Sequence, residues 1–181
     1  MFEPPATEAD LVARLRARDD AAFEMLVQRY GAEIQAVAFV ILRDPHAAED
    51  AAAETLVLAW RKITVLRDPR RLRPWLLRIA TRAALRVRRR ERDAIPLTPE
   101  MLQGRSTGVD DALDHIALID ALDRLPPRIR AALALHYVAD MTVDAVAEVM
   151  GTTRNTVKTQ LRDGLQRMRE ALDPEASQGG R

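Results

Sequence analysis

Apolar residues recur along this chain at spacings of three and four, the pattern of helices with one face turned to a core. Thr7 with Asp10 three residues later forms a helix-opening box, and Leu11, Val12 and Leu15 supply the first apolar face. Asp19-Asp20 can cap a second helix, in which Phe23, Leu26, Val27, Tyr30, Ile34, Val37, Ala38 and Ile41 keep helical spacing. Asp44-Pro45 reads as a cap followed by a first-turn proline. The helix it opens runs to about Lys62, with Ala48, Ala52, Leu56 and Ala59 on one face. Asp68-Pro69 punctuates again, and a fourth helix carries Trp75, Leu76, Ile79, Ala80 and Leu85.

The pattern then breaks. Residues 93–111 (DAIPLTPEMLQGRSTGVDD) hold two prolines, two glycines and several small polar residues. A stretch of this length without apolar periodicity is longer than a compact domain normally accepts as a loop. It reads as a flexible linker dividing the chain into residues 1–92 and 112–173. In the second part Leu113, Ile116, Leu118, Ile119 and Leu122 form a helix stopped near Leu125-Pro126-Pro127. Helices over 127–139, 142–150 and 154 to about 172 are expected to follow, and the small polar tail 174–181 is expected to be disordered. The fold class is therefore all-α, as two small helical domains.

Charge changes this picture from a fold to a candidate activity. Residues 1–60 carry 5 basic and 11 acidic side chains, residues 61–92 carry 13 basic and 2 acidic, and the remainder 10 basic and 14 acidic. A chain of net charge +1 thus gathers its positive charge in one stretch, the footprint of a polyanion-binding face. Nearly all of it is arginine, Lys62 and Lys158 being the lysines. With no cysteine, disulfides and thiolate metal sites are excluded. No stretch stands out as the roughly 20 apolar residues a membrane span needs, and the acidic, proline-bearing start is unlike a secretory signal. Membrane insertion is not expected, and the location expected is cytoplasmic. His46, His115 and His136 share no metal-ligand spacing and no glycine-rich phosphate loop is present, so neither an enzyme nor a cofactor is expected.

A second candidate lies in Thr142 to Leu161, TVDAVAEVMGTTRNTVKTQL. Ala147 and Gly151 are spaced like the close-packing alanine and turn glycine of a helix-turn-helix, and Val146, Met150, Val157 and Leu161 can clamp the two helices. The second helix would present Arg154, Asn155, Lys158, Thr159 and Arg162 to a major groove, side chains able to bond phosphates and base edges. An αα-hairpin with a solvated polar face satisfies the same pattern.

The neighbouring residues decide between them by resemblance. LDRLPPRIRAALALHY from Leu122 to Tyr137, followed by the helix-turn-helix with Asn155 to Leu161 and Gln166 to Glu170, resembles region 4 of sigma factors. Phe23 to Tyr30 is similar to the first helix of region 2. Ala48-Glu49-Asp50, Glu54-Thr55-Leu56 and Ala59-Trp60-Arg61 resemble its AEDxxQETFxxAWR helix, and Arg73 to Ala80 with Arg88 to Arg90 its −10 helix. The resemblance spans residues 20–92 and 112–172 without a region 3, as in the extracytoplasmic-function (ECF) class of the sigma-70 family. It implies region 2 over 1–92, region 4 over 112–173, and a role in promoter-specific transcription initiation with core RNA polymerase. Glu49, Asp50 and Glu54 would meet the β′ clamp helices, with Leu56 and Trp60 supporting that surface or packing beneath it. Arg67, Arg70, Arg71 and Arg73 match the segment that captures an unstacked −10 base, and Arg78, Arg82, Arg86 and Arg89 would line phosphates. Arg154, Asn155, Lys158, Thr159 and Arg162 would read the −35 element, with the β flap as the polymerase contact of region 4. An anti-sigma factor is a further implied partner, although no residue pattern identifies one.

Departures from the family pattern are Ala53, Leu58, Arg82, Arg86 and Gln160. They bear on clamp contacts and base preference, so the promoter sequence does not follow from the resemblance. A stand-alone helix-turn-helix regulator remains the alternative function, and a pure interaction protein a third.

Overall fold

Polar residues open the helices where the caps were expected. In the computed structural model, which describes residues 7–93 and 111–172, eight α-helices and no strand occur among the described residues. Helix α1 (Glu8–Arg16) begins at a reciprocal box in which the Thr7 hydroxyl accepts from Asp10 N–H and the Asp10 carboxylate accepts from Thr7 N–H. Asp19 caps α2 (Asp20–Leu42), and Asp44 caps α3 (Pro45–Lys62) with Pro45 in its first turn. Asp68 accepts from Arg70 N–H at 3.0 Å and opens a single 3-10 turn, Pro69–Arg71. From this turn α4 (Leu72–Asp93) departs. The second half holds α5 (Asp111–Asp123), α6 (Pro127–Leu133), α7 (Val143–Met150) and α8 (Arg154–Leu172). The expected linker lies outside the described residues apart from its two ends, Asp93 and Asp111, which are helical; the expected tail lies outside them altogether.

Two differences from the expected elements have physical causes. The helix expected over 127–139 leaves α geometry after Leu133 and widens into a π-helical turn, Ala134–Val138, where Ala139 N–H bonds Ala134 O at 3.0 Å. The turn ends at Asp140 in a left-handed conformation, φ 46°, and Met141 N–H returns to Leu135 O. The expectation that no segment has the length and composition of a membrane span also needs correction: α2 has 23 residues and a mean hydropathy of 1.3 in its most apolar stretch. Here it is a core helix, burying Ala22, Leu26, Tyr30, Ile34, Val37, Ala38, Ile41 and Leu42 with α3 and α4 as its main neighbours.

Two apolar clusters organise the molecule. One lies wholly in the N-terminal half, where Leu11, Val12 and Leu15 of α1 meet Leu26 and Ile34 of α2, Leu56 and Ala59 of α3, and Leu72 and Leu76 of α4. The other is shared. Val37, Ile41 and Leu42 of α2 and Leu77 and Ala84 of α4 join Leu125, Ala131, Leu133, Leu135, Val146, Val157 and Leu161 in one continuous core. The two halves read as separate domains thus pack against one another, α2 against α6 and the π turn, and α4 against α7.

Gly164 lies where α8 packs closely on α6. A Cβ there would lie 2.7 Å from Ile129 Cγ2 and 3.0 Å from Leu133 Cδ1. Gly164→Val is expected to destabilise the chain by about 1–3 kcal/mol in urea unfolding, since overpacking moves neighbours off their rotamers; unchanged stability would contradict this packing. At the other end, the Tyr30 hydroxyl donates to Glu8 Oε1 at 2.8 Å and pins α1. Burial, then the Glu8 bond, pushes its pKa up from 10.0 to about 12. The folded state therefore holds a proton that the unfolded chain releases first. This contribution is complete below pH 10 and is lost as pH rises through about 12. Between these limits the Tm of the wild type should fall more steeply than that of Tyr30→Phe, and parallel curves would refute the assignment.

Candidate nucleic-acid interface

The helix-turn-helix is built as its residues require. Thr142 caps α7 through its hydroxyl, which accepts from Ala145 N–H, and Gly151 ends it at φ 62°, a left-handed conformation that costs glycine nothing. Thr153 then opens α8, its hydroxyl accepting from Thr156 N–H at 3.2 Å. Val146 and Val157 are fully buried and Leu161 and Ala147 nearly so, which fixes the two helices together, while Met150 is half-buried. On the outer face Arg154, Asn155, Lys158, Thr159 and Arg162 are all exposed. Arg154 lies 3.4 Å from Asp144 and Arg162 3.3 Å from its neighbour Asp163, both exposed pairs of the kind that contribute little. Gln160 is half-buried, with an enclosed Oε1 that has no hydrogen-bond partner, and so stands apart from this face.

The arginines of residues 67–89 divide into those that face solvent and those held by a carboxylate. Arg67, Arg70, Arg82, Arg86 and Arg89 are exposed, as is Arg71, while Arg73 and Arg78 are half-buried. Arg86 lies 3.9 Å from Glu54 across the α3–α4 groove. This groove, about 260 Å³, is lined by Leu58, Lys62, Trp75, Ile79, Arg82 and Arg86 among others, an apolar floor with a cationic rim. Arg73 is instead a tether: it holds both oxygens of Glu33 and also donates to Ala139 O in the other half. The Glu33 carboxylate, foremost by its hydrogen bond, holds the guanidinium above its already high pKa. Arg71 and Arg78 both end on Glu148 of α7, Arg78 Nη2 reaching Oε1 and the main-chain O at 3.1 Å each.

The acidic surface is equally distinct. Glu49, Asp50 and Glu54 are exposed on α3, whereas Leu56 is buried and supports the helix from beneath. Trp60 is half-buried against Phe23, ring centroids 5.3 Å apart, with Arg18 over its face at 5.4 Å. Arg18 also donates to Trp60 O at 2.6 Å, so this ring positions the end of α3. Ala53 is exposed and Leu58 half-buried on the same helix, so the departures from pattern do alter its surface.

Comparison with known proteins gives the same division. Residues 26–94 match Sigma-70 region 2, and residues 115–168 match Sigma-70, region 4. The chain belongs to the sigma-70 family. The RNA polymerase sigma factor SigV of Bacillus subtilis is 29% identical over 139 residues, covering 77% of this chain and 84% of SigV. The ECF RNA polymerase sigma factor SigK of Mycobacterium sp. (strain JLS) is 29% identical over 181 residues, covering 92% and 91%. Among solved structures, CnrH in complex with the cytosolic domain of CnrY has a TM-score of 0.70 at 22% identity, covering 91% of this chain and 96% of that one. The sigma factor RpoE of Bartonella quintana, in complex with the anti-sigma factor NepR, has a TM-score of 0.69 at 23% identity, covering 84% and 98%. As an ECF-type member with both regions, the chain directs promoter-specific transcription initiation.

Sequence reasoning missed Glu33 and Glu148, the anions that hold Arg71, Arg73 and Arg78. No local pattern marks a carboxylate that pairs with a cation 40 or 77 positions away. The cap of α8 is open to direct test. Thr153→Ala should cost about 1 kcal/mol and raise amide exchange at the start of α8; protection equal to the wild type would contradict the cap.

Proposed function

We propose that region 2 of this sigma factor docks on the β′ clamp helices of core RNA polymerase through Glu49, Asp50 and Glu54 of α3. Leu56 and Trp60 set the angle of that helix from within. The exposed arginines of the −10 segment, Arg67, Arg70, Arg82, Arg86 and Arg89, draw the promoter backbone toward the α3–α4 groove, and Arg71 and Arg78 join them when released from Glu148. In that groove Trp75 and Ile79 offer an apolar floor for an unstacked base. Unstacking costs a few kcal/mol, which cationic contacts and the docked polymerase together offset. Region 4 places α8 in the major groove of the −35 element, with Arg154, Asn155, Lys158, Thr159 and Arg162 as its reading face, and contacts the β flap. The domains are residues 1–92 and 112–173, joined by the segment 93–111, and the chain acts in the cytoplasm, where polymerase and promoter are. An anti-sigma factor is a further partner, as NepR is for the similar RpoE.

The observation that carries this reading is the presence, in one chain, of a cationic helix α4 and a helix-turn-helix with an open polar face, beside a separate acidic surface on α3. A stand-alone regulator has no use for that third surface.

Co-purification with core polymerase tests the docking assignment. The double variant Asp50→Arg/Glu54→Arg should lose at least about tenfold in core affinity, as repulsive charge placed at a complementary interface does, with its helix content unchanged. Equal retention of the variant and the wild type would remove α3 as the docking surface. For the −35 face, log affinity of the holoenzyme should fall with log salt, and Lys158→Ala should reduce the slope by about 1. A slope unaltered by that change would place Lys158 away from the phosphates.

A further inference from the structure

Arg18 stands in the turn between α1 and α2 with φ 62°, a left-handed conformation that disfavours any residue bearing a Cβ and that glycine adopts freely. Nothing in the turn itself calls for arginine. The backbone closes through Arg18 N–H to Leu15 O and Asp19 N–H to Arg14 O, and the Arg14–Asp19 ion pair braces it at 2.6 Å. The side chain gives the reason. Arg18 lies over the Trp60 ring and donates to Trp60 O at 2.6 Å and to Arg61 O at 3.4 Å. These carbonyls belong to the last turn of α3, where a helix has no amides of its own left to meet them. Arg16, at the end of α1, donates in turn to Leu66 O, just past the 3-10 turn Ile63–Val65. One short turn thus places two guanidiniums on the chain, one where it leaves α3 and one where it enters the segment Arg67–Arg73.

We infer that Arg16 and Arg18 are positioning residues for base capture, a clamp at the end of α1 that fixes residues 61–68 before DNA arrives. The inference rests on reading Arg67–Arg73 as the −10 segment and the α3–α4 groove as its base site. Between the held carbonyls, Ile63 and Leu66 are buried and seat the turn in the N-terminal core. Thr64 and Val65 are carried outward, and Val65 lines the groove with Lys62, Trp75 and Ile79. Where the turn is held therefore decides where one wall of the groove stands. Directly beyond Leu66, Arg67 is exposed and Asp68 caps the next 3-10 turn, so a shift at Leu66 O passes to both. A loop already in its binding conformation loses no freedom when it binds, and walls that do not adjust reject the wrong base. Both arginines are exposed and neither belongs to the core, so the clamp orders the loop without being needed for the fold.

The test is run-off transcription by core RNA polymerase loaded with the full-length chain, on a promoter library randomised in the −10 and −35 blocks. Its readout is base preference, a ratio that does not depend on how much active protein is present. Arg16→Ala/Arg18→Gly removes both donors and leaves glycine at the left-handed position. It should flatten preference in the −10 block roughly three- to tenfold, the change that one or two net hydrogen bonds sustain, with the −35 block as in the wild type. Arg14→Ala weakens the same turn through Asp19 and makes no contact with residues 61–68 to lose; it should lower Tm and leave both blocks unchanged. Equal −10 preference in Arg16→Ala/Arg18→Gly and the wild type would overturn the inference, as would an equal loss in Arg14→Ala. Retained preference with a salt dependence of promoter affinity shallower by about 2 in slope would make the two arginines phosphate contacts instead. Val65→Asp, a carboxylate on an exposed groove wall, separates the clamp from the reading beneath it. If Val65→Asp alters the −10 block and Arg16→Ala/Arg18→Gly does not, only the clamp fails. If Val65→Asp leaves the −10 block unchanged, the groove is not the base site and the inference falls with it.

Discussion

Arginine carries five donors, no acceptor and a charge it does not give up at any pH a folded protein survives, so each guanidinium must find acceptors, in water, in a carbonyl or in an anion. Residues 67–90 contain ten of them. Much of the architecture follows from where these ten are allowed to point. The apolar residues of α4, among them Leu72, Leu76, Leu77, Ala80 and Ala84, are buried on the inner face of the helix. Arginines along the edge of that face, half-buried Arg73 and Arg78 and exposed Arg71, end on Glu33, Ala139 O and Glu148. Those farther out, Arg82, Arg86 and Arg89, remain exposed on a field that extends into solvent. One helix thus forms a core element on one side and a cationic surface on the other, with tethers between the two halves at the seam.

The acidic helix α3 answers a different constraint. It packs beside α4, and its carboxylates lie close enough to feel the arginine field, as the 3.9 Å approach of Glu54 and Arg86 shows. Glu49 and Asp50, one turn in from the start of α3, are exposed. Charge of opposite sign is thereby separated on neighbouring helices of a single small domain. That separation gives the domain two faces of opposite sign, which a uniform mixture of the same residues would not.

The secondary structure was legible because its signals are local. Thr7, Asp19, Asp44 and Thr142 cap helices through side-chain bonds to amides two or three residues ahead, and Gly151 takes the left-handed turn its spacing implied. The exposed polar face of α8 follows from the 3.6-residue period alone. What escaped was everything set by distant partners. Val37 and Ile41 look the same in sequence whether they face their own domain or, as here, a core shared with region 4. Arg73 resembles its neighbours Arg70 and Arg71 until Glu33 is placed beside it. Gly164 sits mid-helix with no turn to explain it, and only the approach of Ile129 and Leu133 gives the reason.

Residues of α4 and α8 say what kind of surface each helix offers and leave open which bases each prefers. Arg82 and Arg86 put exposed cations at positions where the family pattern carries polar or acidic side chains, and Gln160 is turned partly inward. The most direct measurement of the central claim is run-off transcription from a randomised promoter library by core RNA polymerase with and without the full-length chain. The account predicts start sites that appear only with the chain and share two conserved blocks at a fixed separation, one for each domain. Transcription no greater than that of core polymerase alone would contradict it, as would a single conserved block that directs initiation without the other.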